Sequence, residues 1–394
     1  MGTVITGIGA IASGDLAAPR LDADSIVIED GRIVEVGRGI DPGDAEAVID
    51  AGGTTVLPGL IDSHAHPVLG DFTPRQRMLD FIESSLHGGV TTMISAGEPH
   101  TPGRPRDIVG LKALAIAVAH AYGNLRPGGV KVIAGAPILE HGLTEADFAE
   151  LGAAGVRLIG EIGLGSIKSG ADAAPMVGWA RAHGMVSTYH TGGPSLPGSA
   201  AITAADVLTA RPDIAGHING GTTSLSESDI AALVAGPSEI ALELVHCGNG
   251  RTALIALRLA DAREQLGRVI LGNDAPSGTG VVPLGILRLI AHLASLGPMD
   301  PARAIALATG NTARVHGLDT GVIAAGRAAD VVIADAPVGS VADTAMDALA
   351  NGDIPGISMV LIDGKPVIGR SRNTAPASRA ATIVRGAALG GGSH

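Results

Sequence analysis

The 394-residue sequence predicts an α/β protein: a (β/α)8 TIM-type barrel with a small β-sandwich domain built from both chain ends. Three observations carry that expectation. Eight apolar, β-branched runs alternate with helical stretches through the middle of the chain at roughly thirty residues per repeat, the pattern of a closed parallel sheet with helices outside. Strand-like segments joined by Asp-Gly turns occupy both ends. No Gly-rich phosphate loop follows the first of the eight runs, which argues against a doubly wound open sheet.

In chain order, Ser25–Glu29 and Arg32–Val36 flank Asp30-Gly31, a hairpin turn whose glycine accepts positive φ. Ala47–Val56 reads as a strand pair broken by Gly52-Gly53. The barrel strands are expected at 56–66, 90–97, 130–139, 156–165, 185–193, 213–221, 240–249 and 269–274. Helices are expected between them at 76–86, 108–122, 145–154, 173–183, 227–234 and 252–266. Two more follow at 281–296 and 300–315, the second with Asp300 as N-cap and Pro301 in the first turn. Strand-like Asp330–Asp335 and Ile357–Ile362, with a second hairpin turn at Asp363-Gly364, return the chain to the β domain. The organisation is then residues 1–57 and 320–386 for the two parts of the sandwich, 58–319 for the barrel, and 387–394 for a flexible tail.

Composition narrows the function. Basic residues number 27 against 39 acidic, and four of the basic ones are lysines, Lys112, Lys131, Lys168 and Lys365. A net charge of −12 is the wrong sign for a nucleic-acid or anionic membrane surface, so neither partner is expected. The single cysteine, Cys247, cannot form an intrachain disulfide or a Cys-based zinc cluster, and strand alternation points it to the core. No basic n-region precedes Arg20 and no apolar run reaches membrane-spanning length, so a cytoplasmic location is expected.

The sharpest local signal is His64-Ala65-His66, two imidazoles on one side of the first barrel strand. Glu161 lies in the fourth strand, and His190, His217 and Asp274 end the fifth, sixth and eighth. All fall at the C-terminal mouth, where a barrel of this type builds its active site. Four imidazoles and two carboxylates suit borderline divalent ions such as zinc, iron, manganese or cobalt. The expectation is a two-ion centre: one ion on His64 and His66, one on His190 and His217, Glu161 bridging, and Asp274 both holding the first ion and moving protons. Arg104 in the loop after the second strand, Arg75 after the first, and His100 are candidates for holding a substrate, as are His246 and Asn249 at the end of the seventh strand. With six aromatic residues in the chain, a stacking cage is not expected.

Several runs also resemble the amidohydrolase superfamily: Pro58-Gly-Leu-Ile-Asp-Ser-His64-Ala-His66, the late Asp274, Ala308-Thr-Gly-Asn-Thr-Ala-Arg314 and Gly321-Val-Ile-Ala-Ala-Gly-Arg-Ala-Ala-Asp330. The runs Gly160-Glu-Ile-Gly-Leu-Gly-Ser-Ile-Lys168, His190-Thr-Gly-Gly193, His217-Ile-Asn-Gly-Gly221 and Gly272-Asn-Asp-Ala-Pro-Ser-Gly278 are similar to a group within it that opens cyclic enamides. The resemblance implies two divalent ions, zinc and/or iron, a small carboxylated cyclic amide as substrate (6-oxo-tetrahydronicotinate of nicotinate breakdown), and a homo-oligomer, tetramer or dimer. Many members bridge their ions with a carbamylated lysine at the end of the fourth strand. Glu161 stands there in this chain, and Lys168, seven residues on, is the reserve. Deaminase-like members carry a glutamate three residues after the sixth-strand histidine, where this chain has Gly220, which favours amide hydrolysis.

The expected chemistry follows. Coordination lowers the pKa of water from about 15.7 towards 7, so a metal-bound hydroxide can attack the amide carbonyl, whose developing charge the ion stabilises. Asp274 takes the nucleophile's proton and returns it to the leaving nitrogen. Rival readings are another hydrolase of the superfamily, acting on a cyclic imide or N-acyl substrate, and a non-catalytic barrel scaffold.

Overall fold

Both ends of the chain meet in one β-sandwich, and the segment between them closes the barrel. The computed structural model describes residues 2–69, 78–98, 101, 103–195, 198–220, 223–276, 280–297 and 299–386. The N-terminal part supplies β1 (Gly2–Thr6), β2 (Ala10–Ala12), β3 (Arg20–Leu21), β4 (Ser25–Glu29), β5 (Arg32–Gly37), β6 (Ala47–Asp50) and β7 (Thr55–Pro58). The barrel strands follow: β8 (Leu60–Ala65), β9 (Val90–Ser95), β10 (Lys131–Ile133), β11 (Leu158–Ile162), β12 (Val186–Tyr189), β13 (Ile214–Ala215), β14 (Ala241–Val245) and β15 (Val269–Gly272). The C-terminal part returns β16 (Val331–Asp335), β17 (Gly356–Ile362), β18 (Lys365–Ile368) and β19 (Thr382–Arg385).

The sandwich stacks a five-stranded sheet, β19-β6-β1-β4-β5, on a six-stranded one, β18-β17-β16-β7-β2-β3. C-terminal β19 and β16 pair antiparallel with N-terminal β6 and β7, so neither end completes its sheet alone. Inward-facing Ile5, Ile26, Ile33, Ile49, Val56, Val331, Ile333 and Leu361 fill the space between the sheets. Both Asp-Gly turns are the expected hairpins: Asp30 and Gly31 have φ 48° and 77°, Asp363 and Gly364 φ 49° and 73°. These positive angles match the right-handed twist of the flanking strands. The segment around Gly52-Gly53 is not a hairpin, because β6 and β7 lie in opposite sheets and the turn crosses between them.

The run 56–66, expected as one strand, is two. β7 stays in the sandwich and β8 enters the barrel, with the break at Gly59, where a Cβ would sit 2.1 Å from Thr91 Oγ1. Ladders β8-β9-β10 and β11 through β15 are parallel. Gly160 N bonds Pro137 O at 3.0 Å across one seam. Across the other, Asp274 N bonds His64 O at 2.8 Å and His66 N bonds Ala275 O at 3.1 Å.

The outer layer comprises α1 (Met78–Leu86), α2 (Ile108–Asn124), α3 (Glu145–Ala153), α4 (Gly170–Ala182), α5 (Ala204–Ala210), α6 (Glu227–Ala235), α7 (Gly250–Asp261), α8 (Gly285–Leu296), α9 (Pro301–Leu307), α10 (Gly310–Val315) and α11 (Ala345–Asn351). Short α5 and α11 escape a periodicity reading, although Thr203/Asp206 and Thr344/Asp347 cap their first turns. The expected helix 300–315 is broken into α9 and α10 at Thr309, beside which a Cβ on Gly310 would meet Gly14 O at 2.1 Å. Asp300 caps α9 through Ala302 N, as expected. β14 ends at Val245, so strand alternation does not reach Cys247, which is half-buried against the barrel core. The tail 387–394 lies outside the described residues. Among the described residues no helix is long and apolar enough to cross a membrane.

Candidate metal centre

Six side chains from five strand ends converge inside the barrel mouth. His64 and His66 come from β8, Glu161 from β11, and His190, His217 and Asp274 follow β12, β13 and β15. All six are buried, from 0% exposure at His64 to 9% at Asp274. Gly272 makes room for the first of them, since a Cβ there would lie 2.5 Å from His64 Cβ.

Glu161 is the hub. Its Oε1 lies 2.7 Å from His217 Nε2 and 3.0 Å from His190 Nδ1. Its Oε2 lies 3.7 Å from both His64 Nε2 and His66 Nε2. Asp274 Oδ1 sits 3.2 Å from His66 Nε2 and 3.8 Å from His64 Nε2. Two backbone positions here have positive φ, His217 at 32° and Asp274 at 59°. Such conformations are costly for residues with a Cβ and cluster at functional sites.

The charges are mutually dependent. Burial works against ionisation of Glu161, but the His64 charge and hydrogen bonds from His190 and His217 hold its carboxyl well below the usual range. Asp274 is likewise opposed by burial, and its bond to His66 and the charges of His64 and His217 bring it down to about 2. Burial alone would strip the proton from His64, yet Glu243 and Glu161 raise its pKa well above normal. His190 moves up for the same reason, through Glu161. The buried carboxylates thus favour positive charge at His64 and His190, and a divalent cation would meet that demand in place of protons.

The donor set fits a metal. His64 Nε2 and His217 Nδ1 are buried with no hydrogen-bond partner. Ligand atoms of His64, Glu161 and His217 form one group within 4.8 Å of one another, and those of His64, His66 and Asp274 form a second. His64 is shared between them, where the sequence reading assigned it to one ion.

The substrate-holding candidates are more scattered. Arg104 is nearly buried and pairs with Glu140, both Nη atoms lying 3.3 Å from Oε1. Ser166 N donates to the other Glu140 oxygen at 2.8 Å. His246 follows β14 half-buried, with its Nδ1 unpartnered, and burial, Arg288 and His292 lower its pKa. Asn249 is exposed and caps α7, accepting from Arg251 N at 2.9 Å and Thr252 N at 3.2 Å. Arg75 and His100 lie outside the described residues. Lys168, the reserve bridge, donates instead to Gly198 O at 2.6 Å.

Two carboxylates were not anticipated. Glu243, fully buried on β14, lies 2.7 Å from His64 Nδ1. Asp62 Oδ1 accepts from His64 N at 3.1 Å and Asn273 N at 2.9 Å, joining the strand of one ligand to the strand of another. The available signal was an isolated acid in an apolar strand, Ala241-Leu-Glu243-Leu-Val245, and an acid two residues before His64 on the same strand face.

Comparisons with known proteins agree with this architecture. Residues 217–367 match the amidohydrolase family profile. Enamidase of Eubacterium barkeri is 55% identical over 385 residues, 97% of this chain and 99% of that protein. A crystal structure of enamidase superposes with a TM-score of 0.94 at 55% identity, covering 98% of this chain and all of that one. An adenine deaminase of Deinococcus deserti is 30% identical over 329 residues, 82% of this chain and 55% of that protein. A β-aspartyl dipeptidase of Fervidobacterium islandicum shares the fold at a TM-score of 0.66 and 18% identity, over 94% of this chain and 98% of that one. With more than half its residues identical to enamidase over nearly the full length of both proteins, the chain belongs to the amidohydrolase superfamily.

Proposed function

We propose that the chain hydrolyses the ring C–N bond of a small carboxylated cyclic amide, an enamide such as 6-oxo-tetrahydronicotinate, as part of nicotinate breakdown. The observation that carries this reading is the convergence of the six side chains on the partnerless His64 Nε2, in a chain 55% identical to enamidase. His64, His66 and Asp274 would hold one divalent ion, zinc or iron, and His190 and His217 a second, with Glu161 reaching both sets. When bound, such ions acidify water and polarise an amide carbonyl.

The chain's own groups do the rest. Asp274, ionised at neutral pH, accepts a proton at its carboxylate from the attacking water as the new C–O bond forms. It then delivers that proton to the ring nitrogen as the C–N bond breaks. His66 Nε2 lies 3.2 Å from that carboxylate, on the same side of the centre. The freed enamine tautomerises to an imine, and a second water releases ammonia and leaves an aldehyde. Glu140 accepts from two of the five N–H groups of the Arg104 guanidinium, so three remain for a substrate carboxylate. Arg75, His100, His246 and Asn249 are the other candidates for that contact. A cytoplasmic homo-oligomer, tetramer or dimer, completes the reading.

The test pairs elemental analysis with a substrate panel of cyclic enamides, saturated lactams, cyclic imides and N-acyl amino acids, following substrate loss for every compound and ammonia release for the enamides. The expected result is close to two ions per chain, turnover of the enamide, and loss of both ion binding and turnover in His64→Ala. Full activity in that variant, or turnover confined to imides or N-acyl substrates, would overturn the proposal.

A further inference from the structure

Glu243 is a carboxylate that the chemistry above leaves without a task. It occupies the middle of β14 and is 0% exposed, a costly place for an acid unless each oxygen is engaged. Both are. Oε1 accepts from Ser63 Oγ at 2.5 Å. Oε2 faces His64 Nδ1 at 2.7 Å and accepts from the main-chain N–H of His217 at 3.3 Å. An ionised carboxylate can only accept, so the proton between Glu243 and His64 resides on Nδ1, and the lone pair of Nε2 is left facing Glu161 and Asp274. The second contact acts on His217, whose backbone is held at φ 32°.

We infer that Glu243 is the positioning residue of the metal centre, holding His64 in the Nδ1–H form and tying it to the His217 backbone so that ligands from β8 and β13 keep one geometry. His64 belongs to both ligand groups, so its ring orientation bears on the whole centre. A carboxylate behind a ligating imidazole fixes the ring and raises its basicity, and removing such a partner typically costs 10- to 100-fold in metal affinity. Replacing Glu243 by Gln removes the charge and allows an amide N–H to face Nδ1, which favours the opposite tautomer.

The inference rests on the metal-centred reading above, and the experiment separates the two. Zinc-loaded wild type and Glu243→Gln are dialysed against a dilution series of dipicolinate, and zinc per chain is measured by elemental analysis. The variant is expected to release zinc at about 10- to 100-fold lower chelator concentration. Equal retention overturns the inference. Should the variant not fold, zinc-loaded wild type with 15N-labelled histidine decides alone: a downfield, exchange-protected Nδ1–H on His64 is expected, and a proton on Nε2 with bare Nδ1 overturns it. A wild type that retains no zinc defeats the metal-centred reading together with the inference, whereas a zinc-holding wild type with an unaffected variant defeats the inference alone.

Discussion

Lys131→Met tests how the sandwich is fastened to the barrel floor. Lys131 opens β10, and its Nζ lies 3.0 and 2.9 Å from the two oxygens of Asp330, whose side chain is 0% exposed beside β16. The same ammonium reaches Asp363 Oδ1, in the β17–β18 turn, at 2.6 Å. Methionine keeps the length and apolar bulk of lysine and deletes the charge. Stripping one partner from a buried ion pair costs about 3–5 kcal/mol, because the remaining charge is left uncompensated. Here Asp330 keeps two donors, Thr320 Oγ1 at 2.8 Å and Asp363 N at 3.0 Å, which lowers the expected cost to about 2–3 kcal/mol. For a chain longer than 250 residues each kcal/mol moves the melting midpoint by about 1–2 °C, so a drop of about 2–6 °C is expected. Thermal and urea unfolding should both report it, with Lys131→Arg restoring most of the loss and zinc content unchanged. A drop below about 1 °C in Lys131→Met, or an equal drop in Lys131→Arg, would show that this charge does not join the two domains.

Three further outcomes are expected. Asn311→Leu removes the amide that donates to Leu266 O at 2.9 Å and Val269 O at 2.8 Å, leaving two buried carbonyls bare, and should cost about 2–4 kcal/mol in urea unfolding; a change below about 0.5 kcal/mol would contradict this. In Gly285→Ala the new Cβ would lie 2.0 Å from Oδ1 of Asn273, the neighbour of Asp274, so turnover should fall by about tenfold or more in a folded protein, since small misplacements of catalytic groups are costly; unchanged kcat would refute it. Burial and the Arg372 charge lower the His87 pKa to about 4, and its Nδ1 accepts from Arg372 N at 3.2 Å. The unfolded chain, with an ordinary histidine pKa near 6.5, binds more protons between those values, so this residue withdraws stability as pH falls from about 6.5 to 4 and contributes no pH dependence above. His87→Asn keeps an acceptor without titrating and should flatten that acid decline; melting curves that stay parallel across the window would refute the assignment.

The barrel was legible because its signals are local. Each strand is a short apolar run, each helix a longer periodic one, and a closed parallel sheet puts every strand's C-terminal end at one mouth. His64-Ala-His66, Glu161, His190, His217 and Asp274 could therefore be placed together before any contact was known. The Asp30-Gly31 and Asp363-Gly364 hairpins were equally readable, since positive φ at two successive residues demands those residue types. Other features depend on atoms far apart in the chain. The break at Gly59 is imposed by Thr91, the crossing at Gly52-Gly53 by the stacking of two sheets, and the split between α9 and α10 by close packing against Gly14. Arg104 reads as a free cation in its loop, and only packing brings Glu140 from 36 residues away against it. Glu243 is the clearest case: 179 residues separate it from His64, and alternation shows that it points inward without saying what it meets. Ligand types are written into single strands, but the partner behind a ligand is chosen by which strands the closed sheet sets side by side. A hydrogen bond formed across that closure leaves no trace in the neighbouring sequence.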